Sequence, residues 1–321
     1  MSQAKKSEVL GRGTPRGTRI LETYVGPILT APVESEKRFP DGCQMRIEIP
    51  SVENPAALKA VVQEAAARKV SVHRVSQGSG ASLLSVAELC EMAAIGADAG
   101  LEVNLFIGPR EEYGVGATVR GADGMFLSGR LRGMGQLRYA IEDVFRAVDA
   151  GIRGFLIADM GLLELLGTMV SNGELPNDIV WKVSAVLAPS NPVSFRQLIA
   201  TAEHVTVNVP SDMTLVELAE LRTVSDAPID LYLEAPDAMG GMVRGNETLE
   251  IALVAAPLYA KFGLRNARAV YPAGLHLQGD VEANVREKVR RAGLALEWVE
   301  ASGETVSISQ PGAIGIGVPR P

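Results

Sequence analysis

The chain has few cysteines, histidines and aromatic residues. Its 321 residues include two cysteines, three histidines and 5% aromatic residues. Cys43 and Cys90 stand in no CxxC or Cys/His spacing, which excludes a zinc site or an iron–sulfur cluster built on closely spaced cysteines. The sequence therefore predicts reduced thiols in a reducing compartment and no iron–sulfur cofactor.

Positive charge is not in excess either. The formal net charge is −7, whereas affinity for nucleic acid or anionic lipid rests on clustered lysine and arginine. No run of about 18 apolar residues occurs, and the N-terminus lacks the apolar region of a signal peptide. We expect a cytoplasmic protein whose partner is a small-molecule substrate rather than nucleic acid or a membrane.

The composition that remains is that of a folded protein, with 47% hydrophobic and 21% charged residues. Residues 1–43 lack sustained periodicity and carry several glycine, proline and charged residues, which predicts an N-terminal extension. This extension is either partly disordered or an arm on a neighbouring subunit, in which case it would make a homo-oligomer. Residues 44–321 are predicted to form a single domain.

Strand-like runs alternate with helical stretches from Gln44 onward, which is the pattern of βα units with parallel strands. Helix boundaries are marked by Asn54 before Pro55, by Thr214 and by Gly100. Eight such units predict an α/β fold of the TIM-like (βα)8 barrel type, with an open doubly wound sheet as the alternative. The strand candidates are residues 45–50, 70–76, 101–108, 154–159, 180–187, 204–209, 229–234 and 267–272.

Several strand candidates alternate polar and apolar residues instead of reading as continuous apolar runs. In IDLYLE, Asp230, Tyr232 and Glu234 share one face, and aliphatic residues occupy the other. Because the apolar face must pack against the helices, the polar face is predicted to line the barrel lumen. In VSVHRVS the parity is ambiguous, so either His73 or Arg74 faces inward. The same alternation places Glu48, Asn104, Lys182 and Asn208 on the lumen side.

Catalytic residues of barrels project from the C-terminal ends of the strands into one shared pocket. Glu48, Asp159 and Glu234 belong to the first, fourth and seventh strand candidates, so they could act as acid/base groups or as ligands of a divalent metal. The alternative is that they form ion pairs with nearby cations. Lys182 is either a nucleophile that forms a Schiff base or a partner in a lumen salt bridge. The predicted catalytic residues are Glu48, Asp159, Lys182 and Glu234.

Two segments are candidates for holding an anionic substrate. SQGSG (76–80) follows the second strand, where backbone N–H groups can cradle a phosphate or carboxylate, although the same residues suit any tight turn. The long connection 109–135 is predicted to be a β-hairpin lid whose arginines offer bidentate donors, or a solvated hairpin with scattered charges. Its arginines are Arg110, Arg120, Arg130 and Arg132. The predicted substrate-binding residues are His73, Arg74, Ser76, Gly78, Asn104, Arg110, Arg130 and Asn208.

A resemblance to a known family rests on GIRGFLIADMGLLELL (151–166), which contains an Asp-x-Gly, and on VSAVLAPSNPVSF, HVTVNVPSDMTLVELAEL and IDLYLEAPDAMGG. Across roughly residues 45–275 the chain resembles the collagenase-like peptidase family, number thirty-two among the peptidases of unknown catalytic type. The resemblance implies a TIM-like barrel. It also implies either peptidase activity or, in members with a cysteine-held iron–sulfur cluster, hydroxylation of RNA or quinone precursors. This chain lacks that cysteine set, and it has Ser211 and Asp212 where the family has an Arg-Glu pair.

These patterns predict a barrel enzyme, a hydrolase or lyase that acts on a small anionic or amide-containing compound at the C-terminal mouth. One alternative is a metal-dependent aldolase with Glu48 and Glu234 among the metal ligands. The other is a non-catalytic ligand-binding or assembly protein whose lumen charges form a closed ion-pair network.

Overall fold

The computed structural model describes residues 14–114, 116–121 and 124–321. Within these ranges eight parallel strands follow one another around a closed barrel, and β1 pairs with β8 to complete it. The predicted TIM-like (βα)8 barrel is therefore confirmed. The strands are β1 (Met45–Pro50), β2 (Arg74–Gln77), β3 (Glu102–Phe106), β4 (Gly154–Ile157), β5 (Val180–Val183), β6 (Val205–Asn208), β7 (Ile229–Glu234) and β8 (Leu258–Phe262).

A helix follows each strand and packs on the outside of the barrel, and a short helix precedes β1. No helix of the described residues is long and apolar enough to cross a membrane. The helices are α1 (Arg16–Tyr24), α2 (Pro55–Arg68), α3 (Val86–Ala99), α4 (Gly133–Asp149), α5 (Met160–Ser171), α6 (Pro192–Ile199), α7 (Leu215–Arg222), α8 (Thr248–Ala255) and α9 (Gln278–Ala301).

Side-chain caps start the helices where the sequence predicts them. Asn54 accepts a hydrogen bond from the Ala57 amide at 2.9 Å, directly before α2. Thr214 and Glu217 form a reciprocal capping box at α7, and α3 ends at Gly100 with a φ of +64°. Each cap contributes about 1 kcal/mol and defines where a βα loop gives way to its helix.

The eighth strand is not where the sequence analysis placed it. Residues 267–272 form no strand, and β8 is Leu258–Phe262. Only Ala256 and Pro257 separate α8 from β8, so the two elements read as one apolar run in the sequence. This short connection hid both the strand and its lumen residue Lys261.

The long connection after β3 is not a β-hairpin. Its described residues form three 3₁₀ turns, Glu111–Tyr113, Thr118–Arg120 and Gly124–Leu127. Its sequence has frequent glycines and no sustained two-residue alternation, so it offers no strand face to pair. Glu111 is 1% exposed and is contacted by Arg130 and Arg132, which holds the turns together.

The C-terminal tail after α9 packs across the N-terminal end of the barrel. Arg46 donates hydrogen bonds to the carbonyl oxygens of Ile314 at 2.8 Å and Gly315 at 3.3 Å. The Gly317 amide donates to Glu102 Oε2 at 3.1 Å. The tail thus satisfies charged groups that the lumen presents at this end.

The segment before β1 also packs on the barrel of its own chain. The Ser35 hydroxyl donates to the Ala256 carbonyl at 2.6 Å. Phe39 is buried, and its ring meets that of Tyr259 edge-on at 5.3 Å. Residues 35–39 are therefore part of the folded domain in this structure.

Candidate functional site

The lumen is filled by side chains in layers, each drawn from alternate strands, as expected for a barrel of tilted strands. The layers follow from the registers of the eight strand pairs. The central layer consists of Glu48, Asn104, Lys182 and Asp230. Below it lie Arg74, Thr206 and Tyr259. Above it, toward the mouth, lie Ser76, Leu156, Asn208 and Lys261, and the rim carries Phe106, Ser184 and Tyr232.

The centre of the lumen is a dense network of opposite charges. The Lys182 ammonium contacts Glu48 Oε2 and lies 3.8 Å from Asp230 Oδ2. Arg74 lies beneath them, with its NH1 3.0 Å from Asp230 Oδ1 and 3.6 Å from Glu48 Oε2. Lys261 lies above, 3.5 Å from Glu48 Oε1. Each buried charge therefore has an opposite charge within reach, as burial in a low-dielectric interior requires.

Glu48 is the common partner of the lumen cations. Burial alone would raise the pKa of its carboxyl, but the charges of Lys182, Lys261 and Arg74 together hold that pKa well below its usual range. Glu48 therefore carries a negative charge at neutral pH. It accepts a hydrogen bond from the Ser76 hydroxyl at 2.7 Å, and this hydroxyl lies 3.3 Å from the Lys182 nitrogen.

Lys182 and Asp230 are shifted toward their neutral forms. Burial lowers the pKa of the Lys182 amine to about 7, against the opposing effect of Glu48. Burial raises the pKa of the Asp230 carboxyl, and Arg74 and Lys182 offset only part of that effect. The amine and the carboxyl lie 3.8 Å apart, so a proton can pass between them during a reaction.

On the mouth side of this network a few side chains reach the surface. Leu156, Ser184 and Tyr232 keep 7–8% of their surface exposed, whereas Glu48, Lys182 and Asp230 have none. Phe106, Leu156 and Ala158 form a separate apolar cluster with Val186. The entrance is thus apolar on the β3–β5 side and polar on the β7–β8 side. A small compound with one apolar and one polar side fits such an entrance.

The ambiguity in β2 is resolved in favour of Arg74. Arg74 points into the lumen, whereas His73 lies on the opposite face of the strand and meets the C-terminal tail. His73 Nδ1 accepts a hydrogen bond from the Ile47 amide at 2.9 Å, and its Nε2 lies 2.7 Å from the Ser309 carbonyl oxygen. Burial lowers the pKa of His73 to about 4. The ring is therefore neutral, donates through Nε2 and does not belong to the lumen network.

Asp159, a predicted catalytic residue, is a helix cap. One carboxylate oxygen accepts from the Leu162 amide at 3.0 Å at the start of α5. The other accepts from the Leu131 amide at 2.9 Å and so ties the long β3–α4 connection to this helix. Both oxygens are committed to backbone donors, and Asp159 makes no contact with the lumen network.

Glu234 leaves the lumen because β7 carries a β-bulge. Tyr232 pairs with Lys261 of β8, but Glu234 pairs with the next residue of β8, Phe262. The chain therefore advances by two residues along β7 where it advances by one residue along β8. The bulge reverses the alternation, and Glu234 faces away from the lumen toward α9. Glu48, Asp159 and Glu234 therefore do not meet as a metal site. No group of three or more His, Cys, Asp or Glu able to hold a metal occurs in the described part of the chain.

The predicted anion cradle in SQGSG is already filled by the protein itself. The Gly78 and Ser79 amides each donate to the Glu53 carboxylate at 2.9 Å. Burial raises the pKa of Glu53, against these hydrogen bonds. The interpretation of this turn as an anion-binding element is correct in its chemistry, but the anion is an internal carboxylate.

The arginines of the long connection are engaged by nearby groups. Arg110 donates to the Gly78 carbonyl from Nε at 3.0 Å and from NH2 at 2.7 Å, and its guanidinium lies 4.0 Å from the centre of the Phe106 ring. Arg110 therefore lies at the mouth, beside the entrance. Arg130 pairs with Glu111, which gives it a structural partner away from the lumen.

Four predicted substrate-binding residues, Arg74, Ser76, Asn104 and Asn208, lie in the lumen with Lys182 and Glu48, whereas the lumen residues of β8 were missed. Asn208 donates to the Val183 carbonyl at 2.8 Å, and Asn104 donates to Glu102 at 3.0 Å. The Asn104 side-chain oxygen, by contrast, has no partner in the described structure. Lys261 was missed because β8 was misplaced. Had LYAKF been taken as a strand, its alternation would have placed Tyr259 and Lys261 on one face.

Comparisons with known proteins give likeness of fold only. No protein-family model matches the chain, and no curated protein matches it. The YdjI aldolase of Escherichia coli K12 is 14% identical over 81% of this chain and 92% of its own, with a TM-score of 0.46. A truncated 3-deoxy-D-arabino-heptulosonate 7-phosphate synthase of Thermotoga maritima is 11% identical over 83% of this chain and 90% of its own, with a TM-score of 0.49. YagE of Escherichia coli K12, which belongs to the dihydrodipicolinic acid synthase family and was solved in complex with pyruvate, is 14% identical over 84% of this chain and 93% of its own. Its TM-score is 0.41.

Proposed function

We propose that this barrel is an enzyme of the lyase class in which the Lys182 amine acts on a small carbonyl compound. The observation that carries the proposal is a fully buried lysine in the central lumen layer whose pKa is lowered to about 7. An amine with a pKa of about 7 is partly neutral near pH 7 and can act as a nucleophile, whereas an ordinary lysine is almost fully charged. Asp230 and the ionised Glu48 flank the amine.

The reaction can be written from these groups. The neutral amine adds to the substrate carbonyl carbon, and loss of water gives a protonated imine. This imine accepts the electron pair of the neighbouring carbon–carbon bond as that bond breaks. Asp230 takes the proton from the hydroxyl group of the cleaved fragment, which leaves as an aldehyde, and returns it to the carbon of the enamine that remains. This protonation regenerates the imine, whose positive nitrogen Glu48 stabilises. Addition of water then returns the free amine and the second product.

Reductive trapping tests this proposal. The full-length protein is incubated with pyruvate, glycolaldehyde or dihydroxyacetone and borohydride, and the modified residue is located by peptide mass spectrometry. We expect one adduct, on Lys182. The adduct should be absent in Lys182→Arg, which keeps the charge but cannot form an imine, and present in Lys59→Met, which removes an exposed lysine. The proposal would be contradicted if Lys182 carried no more adduct than the surface lysines do. It would also be contradicted if the Lys182→Arg protein formed as much adduct as the unmodified protein.

The Ser76 hydroxyl supports a second candidate, amide hydrolysis. This hydroxyl lies between the Glu48 carboxylate and the Lys182 amine, at 2.7 and 3.3 Å. A serine beside an amine of lowered pKa is an arrangement that can cleave amides through an acyl intermediate. The resemblance to the collagenase-like peptidases agrees with this candidate. Amide hydrolysis that is lost in Ser76→Ala, with no imine trapped on Lys182, would favour it over the lyase.

A further inference from the structure

A cavity lies outside the barrel, between the end of β7 and α9. Its volume is about 400 Å³. Pockets of a few hundred Å³ are the size that holds small metabolites. Its lining residues are Glu234, Val243, Gly245, Asn246, Arg291, Leu294, Ala295 and Trp298. None of them belongs to the lumen network.

The floor of this cavity presents one acceptor and one donor side by side. Glu234 is 4% exposed and reaches the cavity because the β7 bulge turns it outward. Its Oε1 accepts from the Arg265 amide at 3.2 Å, and its Oε2 lies 3.8 Å from Arg291 NH1. That separation is longer than a hydrogen bond. Arg291 donates through Nε to Glu287 Oε1 at 2.8 Å, so its two terminal NH2 groups and Glu234 Oε2 keep hydrogen-bonding capacity for a third partner.

Apart from Asn246, the rest of the lining carries no polar side chain. Trp298 is 61% exposed and Val243 is 52% exposed, although both are large hydrophobic side chains. Exposed apolar side chains at the edge of a concave site are typical of a binding surface. Leu294 and Ala295 continue this wall along α9.

We infer that this cavity binds a small zwitterion of the α-amino acid type with an apolar side chain. The ligand ammonium group donates to Glu234, and its carboxylate accepts from Arg291, whose planar donors suit a carboxylate. In an α-amino acid these two groups are attached to one carbon, which matches the adjacent placement of Glu234 Oε2 and Arg291 NH1. The side chain packs on Trp298 and Val243. This site is independent of the proposed lyase chemistry.

Trp298 provides the readout for the test. The chain has two tryptophans, and Trp181 is 1% exposed inside the barrel wall. The exposed Trp298 therefore reports on the cavity through its fluorescence, and Trp298→Phe removes that signal. L-leucine, L-methionine and L-phenylalanine are titrated into the full-length protein by fluorescence and calorimetry. Isoamylamine and isocaproate, which resemble leucine without its carboxylate or without its amine, are titrated in parallel.

We expect saturable binding of at least one of the amino acids, with a blue shift of Trp298 emission. Loss of either charged group of the ligand should weaken binding at least about tenfold, because it leaves Glu234 or Arg291 without its partner. Glu234→Gln and Arg291→Met should each weaken binding to a similar degree. Glu297→Gln removes an exposed carboxylate from the same helix outside the cavity and should leave binding unchanged.

Two results would overturn the inference. One is that no amino acid binds at millimolar concentration while circular dichroism shows the fold intact. The other is that isoamylamine or isocaproate binds as tightly as leucine, which would show that the paired charges do not recognise a zwitterion. Each Glu234 and Arg291 variant is checked by thermal unfolding, and the analogue comparison on the unmodified protein does not depend on either variant.

Discussion

At the scale of single residues, the same residue type has different roles depending on what surrounds it. Glu48 meets three cations inside the lumen and stays ionised, whereas Glu53 sits in a backbone cradle and its pKa is raised by burial. Lys182 was predicted from its residue type and its alternation in β5. The lowered pKa that makes its amine interesting comes from complete burial, which no local pattern shows.

His73 makes a prediction about pH and stability. Its pKa is about 4 in the fold and about 6.5 in an unfolded chain. Between these two pH values the proton binds to His73 in the unfolded state but not in the folded state, which stabilises the unfolded state. The free energy of unfolding is therefore highest above pH 6.5 and decreases as the pH falls toward 4. The loss amounts to roughly 3 kcal/mol. Denaturant unfolding from pH 7.5 to 4.5 should show a weaker pH dependence in His73→Gln than in His276→Gln, which alters an exposed histidine. Equal pH dependence in the two variants would show that His73 titrates normally.

At the scale of secondary-structure elements, most strand positions could be predicted and two features could not. β1 and β7 have the predicted bounds, because polar and apolar residues alternate along each of them. The bulge in β7 left no mark in the sequence pattern, since it depends on pairing with β8. That one-residue shift separates Glu234 from Tyr232 and Asp230, which shared a face in the sequence prediction.

The α5 cap gives a second prediction. Asp159→Asn should cost about 1 kcal/mol, because the asparagine oxygen still caps the Leu162 amide but its NH2 group cannot accept from the Leu131 amide. Asp159→Ala should cost about 1–2 kcal/mol, because it removes the acceptor for the Leu162 and Leu131 amides. Urea unfolding measures both values, and turnover should survive Asp159→Asn. If the Asp159→Asn protein folds but has no activity, Asp159 is a catalytic residue and not only a helix cap.

At the scale of the whole molecule, the C-terminal tail packs across part of the N-terminal end of the barrel, beside a cavity of about 550 Å³ that Arg46, Thr206 and Tyr259 line. The tail supplies acceptors to Arg46 and a donor to Glu102 at this end. The opposite end is the mouth, where Leu156, Ser184 and Tyr232 keep 7–8% of their surface exposed and where barrel active sites are built. The polar lumen and its orientation were predictable from alternation. The packing of the tail was not, since residues 302–321 carry no strand or helix pattern.

Truncation after Ser302 tests this packing. It removes the tail groups that accept from Arg46 and the Gly317 amide that donates to Glu102, whereas Asp41 and Arg74 remain as the charged partners of these two residues. Because each lost hydrogen bond to a buried charge costs roughly 1–3 kcal/mol, we expect the free energy of unfolding to fall by about 3 kcal/mol or more, or the truncated chain not to fold. Ile314→Ser, at a position of the same tail that is 68% exposed, should change stability by less than about 0.5 kcal/mol. A truncated chain as stable as the full one would show that the tail does not satisfy these charges.

The most direct test of the central claim is the pKa of the Lys182 amine in the folded protein. It can be measured by following the lysine side-chain NMR signals across pH, with Lys182→Arg identifying the signal. The account predicts a value near 7 and a neutral amine available in the lumen. A value above about 9, close to that of an ordinary lysine, would contradict it and leave the lumen charges as a closed ion-pair network.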